Sequence, residues 1–353
     1  MTSIRKWADE HQYDAEPHDT ATEHNGVQSK VYLLGMTADP LGQMAAFANI
    51  YRGKVDRSLS TVTDDERRSA LADMMVTELQ QPMEVVKMHF LLEGVDRAFT
   101  HQHVRQRMAG YGQESMRFAV LGDLLDATTL PPGLHGTERS GEGDIMPMGQ
   151  QAANRYMWDK AIKTVDEAYH FLVTNGMAAE EARGLLPHAT ATRIHYDVDL
   201  RNFSEMAGKR LCTQAQLPWR GIFGQMIQAI AEYTPDWSWM TDGEGKSDSQ
   251  VRAEVAVRQA WEDRYRWQFE AIAQSALFRP ICYKTGKCEF QAATDRTCSI
   301  KTQVTIRHKH GGTDSEQWHK PFMYQKAGGF ETSPGINPAE WLVNANAARK
   351  VGG

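Results

Sequence analysis

The chain has 353 residues, 41% of them hydrophobic and 24% charged, with a formal net charge of -6. That length and balance suffice for one large or two ordinary water-soluble domains, while the acidic sign excludes a general polyanion binder, which needs a basic field to release counterions from phosphates. No run reaches the roughly eighteen apolar residues of a membrane span, the N-terminal stretch MTSIRKWADEHQYDAEPHD has no apolar h-region, and four cysteines are too few for a disulfide scaffold; together these predict a cytoplasmic chain with no membrane or nucleic-acid partner.

Residues 1–28 are polar without a sustained period and read as a flexible arm. KVYLLGMT then reads as a buried strand, and a helix is expected from ADPLGQ through MAAFANIYRG. TDDERRSALADMMVTELQ opens with Thr63 as an N-cap and acids in the first turn, with Leu71, Met74, Met75 and Leu79 on one side. After Pro82, EVVKMHFLLEG alternates as a strand and VDRAFTHQHVRQRM follows as a helix. The two glycines of AGYGQES are expected to break that helix, with MRFAVL extended after them.

TTLPPGLHGTERSGEGDIMP reads as a surface excursion, followed by a helix from about Gln150 to Thr174, a short one over AAEEARGLL and a strand TRIHYDVD. One long helix is expected from Leu200 to Tyr233, and another from Val251 to Ser275. The organisation predicted is a mixed α/β core flanked by long helices over 29–235, with a C-terminal extension over 236–353.

The basic residues fall in two groups: Arg97, Arg105, Arg107 and Arg117, then Arg183, Arg193, Arg201, Arg210 and Arg220. In an acidic chain such groups suit a small phosphorylated ligand, although solvated, salt-bridged helix faces give the same count. If FTHQHVRQR is helical, Gln102 and Arg105 share a face, and Arg105 and Arg107 diverge by about 200°. Ser115 and Arg117 lie beyond the glycines, where exposed N–H groups, a hydroxyl and a guanidinium can meet one phosphate, and Tyr111 can stack on a ring.

RQRMAGYGQES resembles the signature of the flavin-dependent thymidylate synthases, in which Arg-His-Arg is followed by seven residues and a serine. Here Arg105, Gln106 and Arg107 precede seven residues and Ser115, and Met116, Arg117 and Phe118 follow. QQPMEVVKMHFLLEGVDRAFTHQ resembles the family's lead into the signature, and EARGLLPHATATRIHYDVDLRNFSEMAGKRLCTQAQ its second block, so the likeness covers roughly residues 30–235.

The resemblance implies FAD as cofactor, a pyrimidine deoxynucleotide (dUMP) as substrate, methylenetetrahydrofolate and NADPH as cosubstrates, and a homotetramer with active sites between subunits. Gln102, Arg105, Gln113, Glu114, Ser115, Met116 and Arg117 match the nucleotide-binding positions, joined by Arg183 and Arg210. Among these, Arg210, Ser115 and Arg105 are implied as catalytic, with Arg210 polarising the pyrimidine. Glu84, Arg105, Gln106, Arg107, Gln113, Asp199, Arg201, Glu205, Lys209 and Gln214 match FAD-contacting positions.

This sequence departs from the family pattern at Gln106, where a histidine is usual, at Leu79, where another is common, and at Asp199 and Glu205, where many members carry asparagine. A carboxylate beside the base edge accepts from the cytosine amino group, so a dCMP methylase or a hydroxymethylating variant is the alternative within this class. A catalytically dead ligand-binding or assembly protein is the alternative outside it. Cys282, Cys288 and Cys298 have C-x5-C-x9-C spacing with His308 and His310 behind. These are not the usual C-x2-C pairs, so ordinary reduced cysteines in a small β-rich appendage are expected, and no metal.

Overall fold

The computed structural model describes residues 26–117, 120–131, 134, 148–212, 215, 217–237 and 245–281. The described residues form two compact units. One contains those of 1–28 and 115–191, the other those of 29–114 and 192–281.

The larger unit is built on a four-stranded sheet in the order β1-β2-β4-β3. β1 is Lys30–Met36 and β2 is Lys87–Asp96, pairing antiparallel with it. β3 is Ala109–Gln113 and β4 is Ala191–Asp199, again antiparallel partners. In β2 and β4 the alternation sends Met88, Phe90, Leu92, Ile194, Tyr196 and Val198 into the core, while Lys87, His89, Arg193, His195 and Asp197 occupy the other face.

Helices cover the buried face. They are α1 (Pro40–Ile50), α2 (Asp64–Val76), α3 (Arg97–His103), α6 (Leu200–Arg210), α7 (Leu217–Ala231) and α8 (Asp248–Gln274). The core runs through Leu41, Leu71, Phe90, Tyr196, Phe203, Trp219, Phe223 and Phe269. The chain beyond residue 236, expected as an extension, therefore supplies α8 to this same core, where Trp261, Phe269 and Ile272 are buried.

β2 and β4 end alike. Each closes on Val-Asp, and the aspartate caps the helix that follows: Asp96 Oδ1 accepts from Phe99 N at 2.6 Å, and Asp199 Oδ1 from Asn202 N at 2.9 Å. Gly94, with φ 64, takes the left-handed conformation that turns β2 into this ending.

The expected start of α2 is present as a capping box. Thr63 Oγ1 accepts from Glu66 N at 3.2 Å, and Glu66 Oε2 accepts from Thr63 N at 2.8 Å. Thr63→Ala is expected to destabilise the chain by about 1 kcal/mol, seen as a fall in Tm of a few degrees; an unchanged Tm would mean that the first turn is held by other contacts.

Five expectations need correction. KVYLLGMT forms a strand but not a buried one: β1 lies at the sheet edge, Tyr32 and Leu34 are exposed, and only Met36 of the strand is buried. The helix over VDRAFTHQHVRQRM stops at His103, where the Tyr111 hydroxyl shares its one proton between the His103 carbonyl at 2.9 Å and the Gln106 carbonyl at 3.1 Å, which closes a turn. AGYGQ is strand, not breaker: Ala109, Tyr111 and Gln113 pair with Val198, Tyr196 and Ile194, and the ladder overrides glycine's weak preference. Met116 and Arg117 form a turn instead of an extended run. The helix from Leu200 to Tyr233 is two, because Pro218 lacks a backbone N–H and fits only the first turn of a new helix.

The smaller unit contains α4 (Met148–Thr174), α5 (Ala179–Ala182) and a 3-10 turn, Arg183–Leu185. Leu124, Ile162 and Tyr169 are buried in it. Asp166 Oδ1 accepts from Leu124 N at 3.0 Å, and a Thr128–Thr190 bridge ties its loops. Most of the expected arm, most of the glycine- and proline-rich excursion, and Cys282, Cys288 and Cys298 lie outside the described residues.

Candidate active site

In the larger unit Arg105, Gln106 and Arg107 of the signature sit on a tight turn between α3 and β3. The guanidiniums of Arg105 and Arg107 are exposed and have no partner among the described residues. Between them, Gln106 points inward. Its Nε2 donates to the Asn202 carbonyl at 3.0 Å, and its Oε1 accepts from the Tyr196 hydroxyl at 2.6 Å. Gln113 is also engaged, donating to Thr100 Oγ1 at 3.0 Å. Glu114 lies 3.6 Å from the Arg193 guanidinium, which is 3.4 Å from Glu93.

Three residues implied as flavin contacts converge in one ion cluster. Arg201 pairs with Glu84 and lies 3.8 Å from Glu205, one turn further along α6. Asp199 is held as the α6 cap, accepting from the backbone and side-chain nitrogens of Asn202, with Lys87 Nζ at 3.5 Å. Lys209 is exposed near the end of the same helix. Gln214 lies outside the described residues.

Arg210 closes α6, where the helix C-terminus favours a cation. Its guanidinium carbon lies 4.3 Å from the Trp219 ring centroid, and Nη1 donates to Gln102 Oε1 at 3.3 Å. Its Nε is buried with no hydrogen-bond partner among the described residues, and burial lowers its pKa from the ordinary arginine value. Below it His103 is fully buried, with its ring 4.3 Å from Tyr196 and 5.3 Å from Trp219. Burial and the neighbouring Arg210 charge push the His103 pKa down to about 3, so the imidazole is neutral.

In the smaller unit Ser115, Arg117 and Arg183 gather around Glu180. Arg117 donates from Nε at 2.9 Å and Nη2 at 2.6 Å to one Glu180 carboxylate oxygen. Arg183 Nε donates to the Glu180 carbonyl at 3.0 Å, and Ser115 Oγ accepts from Arg117 N at 3.3 Å. Met116 is buried. Sequence reading did not single out Glu180, Trp219, Tyr196 or His103. Tyr196 was reachable, since it faces Tyr111 across the β3–β4 ladder; the others meet their partners only through the tertiary fold.

Residues 32–236, more than half the chain, match the family described as Thymidylate synthase complementing protein. The chain belongs to this family. Flavin-dependent thymidylate synthases are among its relatives. The one from Geobacter sulfurreducens is 27% identical over 208 residues, 58% of this chain and 84% of that protein. The one from Clostridium tetani is 28% identical over 219 residues, 59% and 84%. The one from Nitratidesulfovibrio vulgaris is 29% identical over 224 residues, 59% and 85%. A solved structure of a UMP/dUMP methylase, PolB from Streptomyces cacaoi bound with 5-Br dUMP, has a TM-score of 0.51 at 19% identity, covering 59% of this chain and 92% of that one. The α/β fold described above is thus the fold of the thymidylate synthase complementing protein family, a family of enzymes.

Proposed function

We propose that this chain is a flavin-dependent methyltransferase that converts dUMP to dTMP, with methylenetetrahydrofolate as carbon donor and NADPH as reductant. The observation that carries the reading is Arg210, a half-buried cation clamped between Trp219 and Gln102 on a chain of this family. A fixed guanidinium against a pyrimidine carbonyl stabilises the negative charge that builds on the ring when C5 attacks an electrophilic carbon. Ser115, Arg117 and Arg183 bind the 5′-phosphate, with Glu180 orienting the Arg117 guanidinium through Nε and Nη2.

The donor set fits FAD. Two exposed guanidiniums without partners among the described residues, Arg105 and Arg107, suit a diphosphate, and Glu84, Arg201, Glu205 and Lys209 are the further polar side chains proposed to contact the cofactor. Bound and reduced, FAD supplies the hydride that completes the methyl group. Cys212 is buried, which fits chemistry without a thiolate nucleophile. We place the protein in the cytoplasm as a homotetramer sharing sites between subunits. Among the described residues no helix is long and apolar enough to cross a membrane.

The carboxylates do not favour cytosine. Asp199 is engaged as a helix cap, and Glu205, exposed and 3.8 Å from Arg201, sits beside a cation that would compete with an exocyclic amine for it. The test is a product-mass assay with purified protein, FAD, NADPH and methylenetetrahydrofolate, with dUMP and dCMP together. Methylated dUMP is expected. A modified dCMP would overturn the uracil reading, and bound flavin with neither nucleotide changed would overturn methyl transfer itself.

A further inference from the structure

The one inward-facing side chain of the signature turn carries an inference that rests on the flavin reading above. Asn202 O is purely an acceptor, so the Gln106 amide must present its NH2 there and its oxygen to Tyr196. Asn202 in turn donates to Asp199, which caps α6. Tyr111 donates to the Gln106 carbonyl from β3. A continuous hydrogen-bonded path therefore runs from Tyr196 through Gln106 to Asn202 and Asp199.

We propose that Gln106 is a positioning residue for the flavin site, whose amide locks the turn bearing Arg105 and Arg107 to the first turn of α6, which bears Arg201, with Glu205 one turn further on. It acts through those residues and not by touching the cofactor, since both ends of its amide have protein partners. Both phenols stay protonated donors, because burial pushes Tyr111 up to about 12 and raises Tyr196 well above its ordinary value. The titratable and charged groups around the path are Asp199 with its partner Lys87, and the His103 ring, 4.3 Å from Tyr196 and 5.2 Å from Tyr111 and neutral through burial, while Arg105 and Arg107 adjoin Gln106 along the chain.

The amide's double role gives a test that mere scaffolding does not share. In Gln106→Glu the ionised carboxylate only accepts and faces the Asn202 carbonyl unfavourably, whereas the protonated acid donates to Asn202 O and accepts from Tyr196 as the amide does. Half-burial raises the pKa of the introduced carboxyl, so the donor is present at low pH and lost as pH rises. FAD affinity is measured by quenching of flavin fluorescence at about pH 5 and about pH 8, with Tm read on each sample.

Q106E is expected to bind FAD about tenfold more weakly than wild type at the higher pH and within about twofold at the lower. Q106M, which removes both hydrogen bonds without adding charge, is expected to be weak at both. Wild-type affinity for Q106E and Q106M throughout overturns the inference. So does an equal loss for Q106E at both pH values, which would point to a direct contact with the cofactor. A wild-type chain that takes up no FAD overturns the flavin reading and this inference with it.

Discussion

Arg210→Ala is expected to lower the rate of dTMP formation by about 10² to 10³, with FAD binding and Tm close to wild type. The size follows from the job assigned to the guanidinium: removing one preorganised donor aimed at developing negative charge costs about 2.7–4 kcal/mol of transition-state stabilisation. The preorganisation lies in protein contacts, since Trp219 fixes the plane of the group and Gln102 one of its nitrogens. The neutral His103 ring beneath adds no competing cation. Arg210→Lys keeps the charge but loses the planar fork, and is expected to recover only part of the loss. Single-turnover product formation at saturating nucleotide is the measurement, because it separates chemistry from binding. If the alanine variant turns over within about threefold of wild type, Arg210 does not polarise the base.

What was legible in the sequence was what local chemistry encodes. β2 and β4 read correctly because a half-buried strand must alternate, and the start of α2 because Thr-x-x-Glu before an apolar run is a cap written in side chains. β3 was not legible, since its two glycines look like a break until β4 supplies the ladder. Nor was the direction of Gln106: spacing places it between two arginines, but only the fold shows that its amide turns away from them toward Tyr196 and Asn202. Spacing likewise brings Ser115 near Arg117, yet says nothing of Glu180, 63 residues on, which holds that arginine. The aspartate at 199 looked like a change in ligand chemistry. Structurally it repeats what Asp96 does at the end of β2, capping a helix.

The largest stability effect is expected from a polar knot far from the signature in sequence. Asp39 and Arg67 are both buried, with Arg67 Nη2 at 2.6 Å and Nε at 3.1 Å from the two carboxylate oxygens. Gln268 from α8 donates to Asp39 at 2.9 Å and accepts from Leu41 N at 2.9 Å, so the knot ties α8 to α1 and α2. Gly42 donates its N–H to Asp39 at 3.0 Å and leaves room for the carboxylate, which a Cβ there would meet at 2.3 Å. Arg67→Met leaves that carboxylate buried and without its cation, a loss of about 3–5 kcal/mol, seen as a fall in Tm of roughly 10 °C. The pH dependence carries the sign. In the wild type, burial raises the Asp39 pKa but the bonds from Arg67, Gln268 and Gly42 outweigh it and leave it below the ordinary value. The pair's contribution is therefore present above the unfolded pKa and is lost as pH falls through the lower folded one. In the variant, desolvation dominates and the folded pKa rises above the unfolded value, so stability is lost as pH rises instead. Thermal melts between about pH 5 and pH 8 are expected to be nearly level for this pair in the wild type and to fall with pH in the variant. A variant that melts within about 2 °C of wild type and shows no downward slope would mean that Gln268 and the α1 N-terminus suffice to hold the carboxylate.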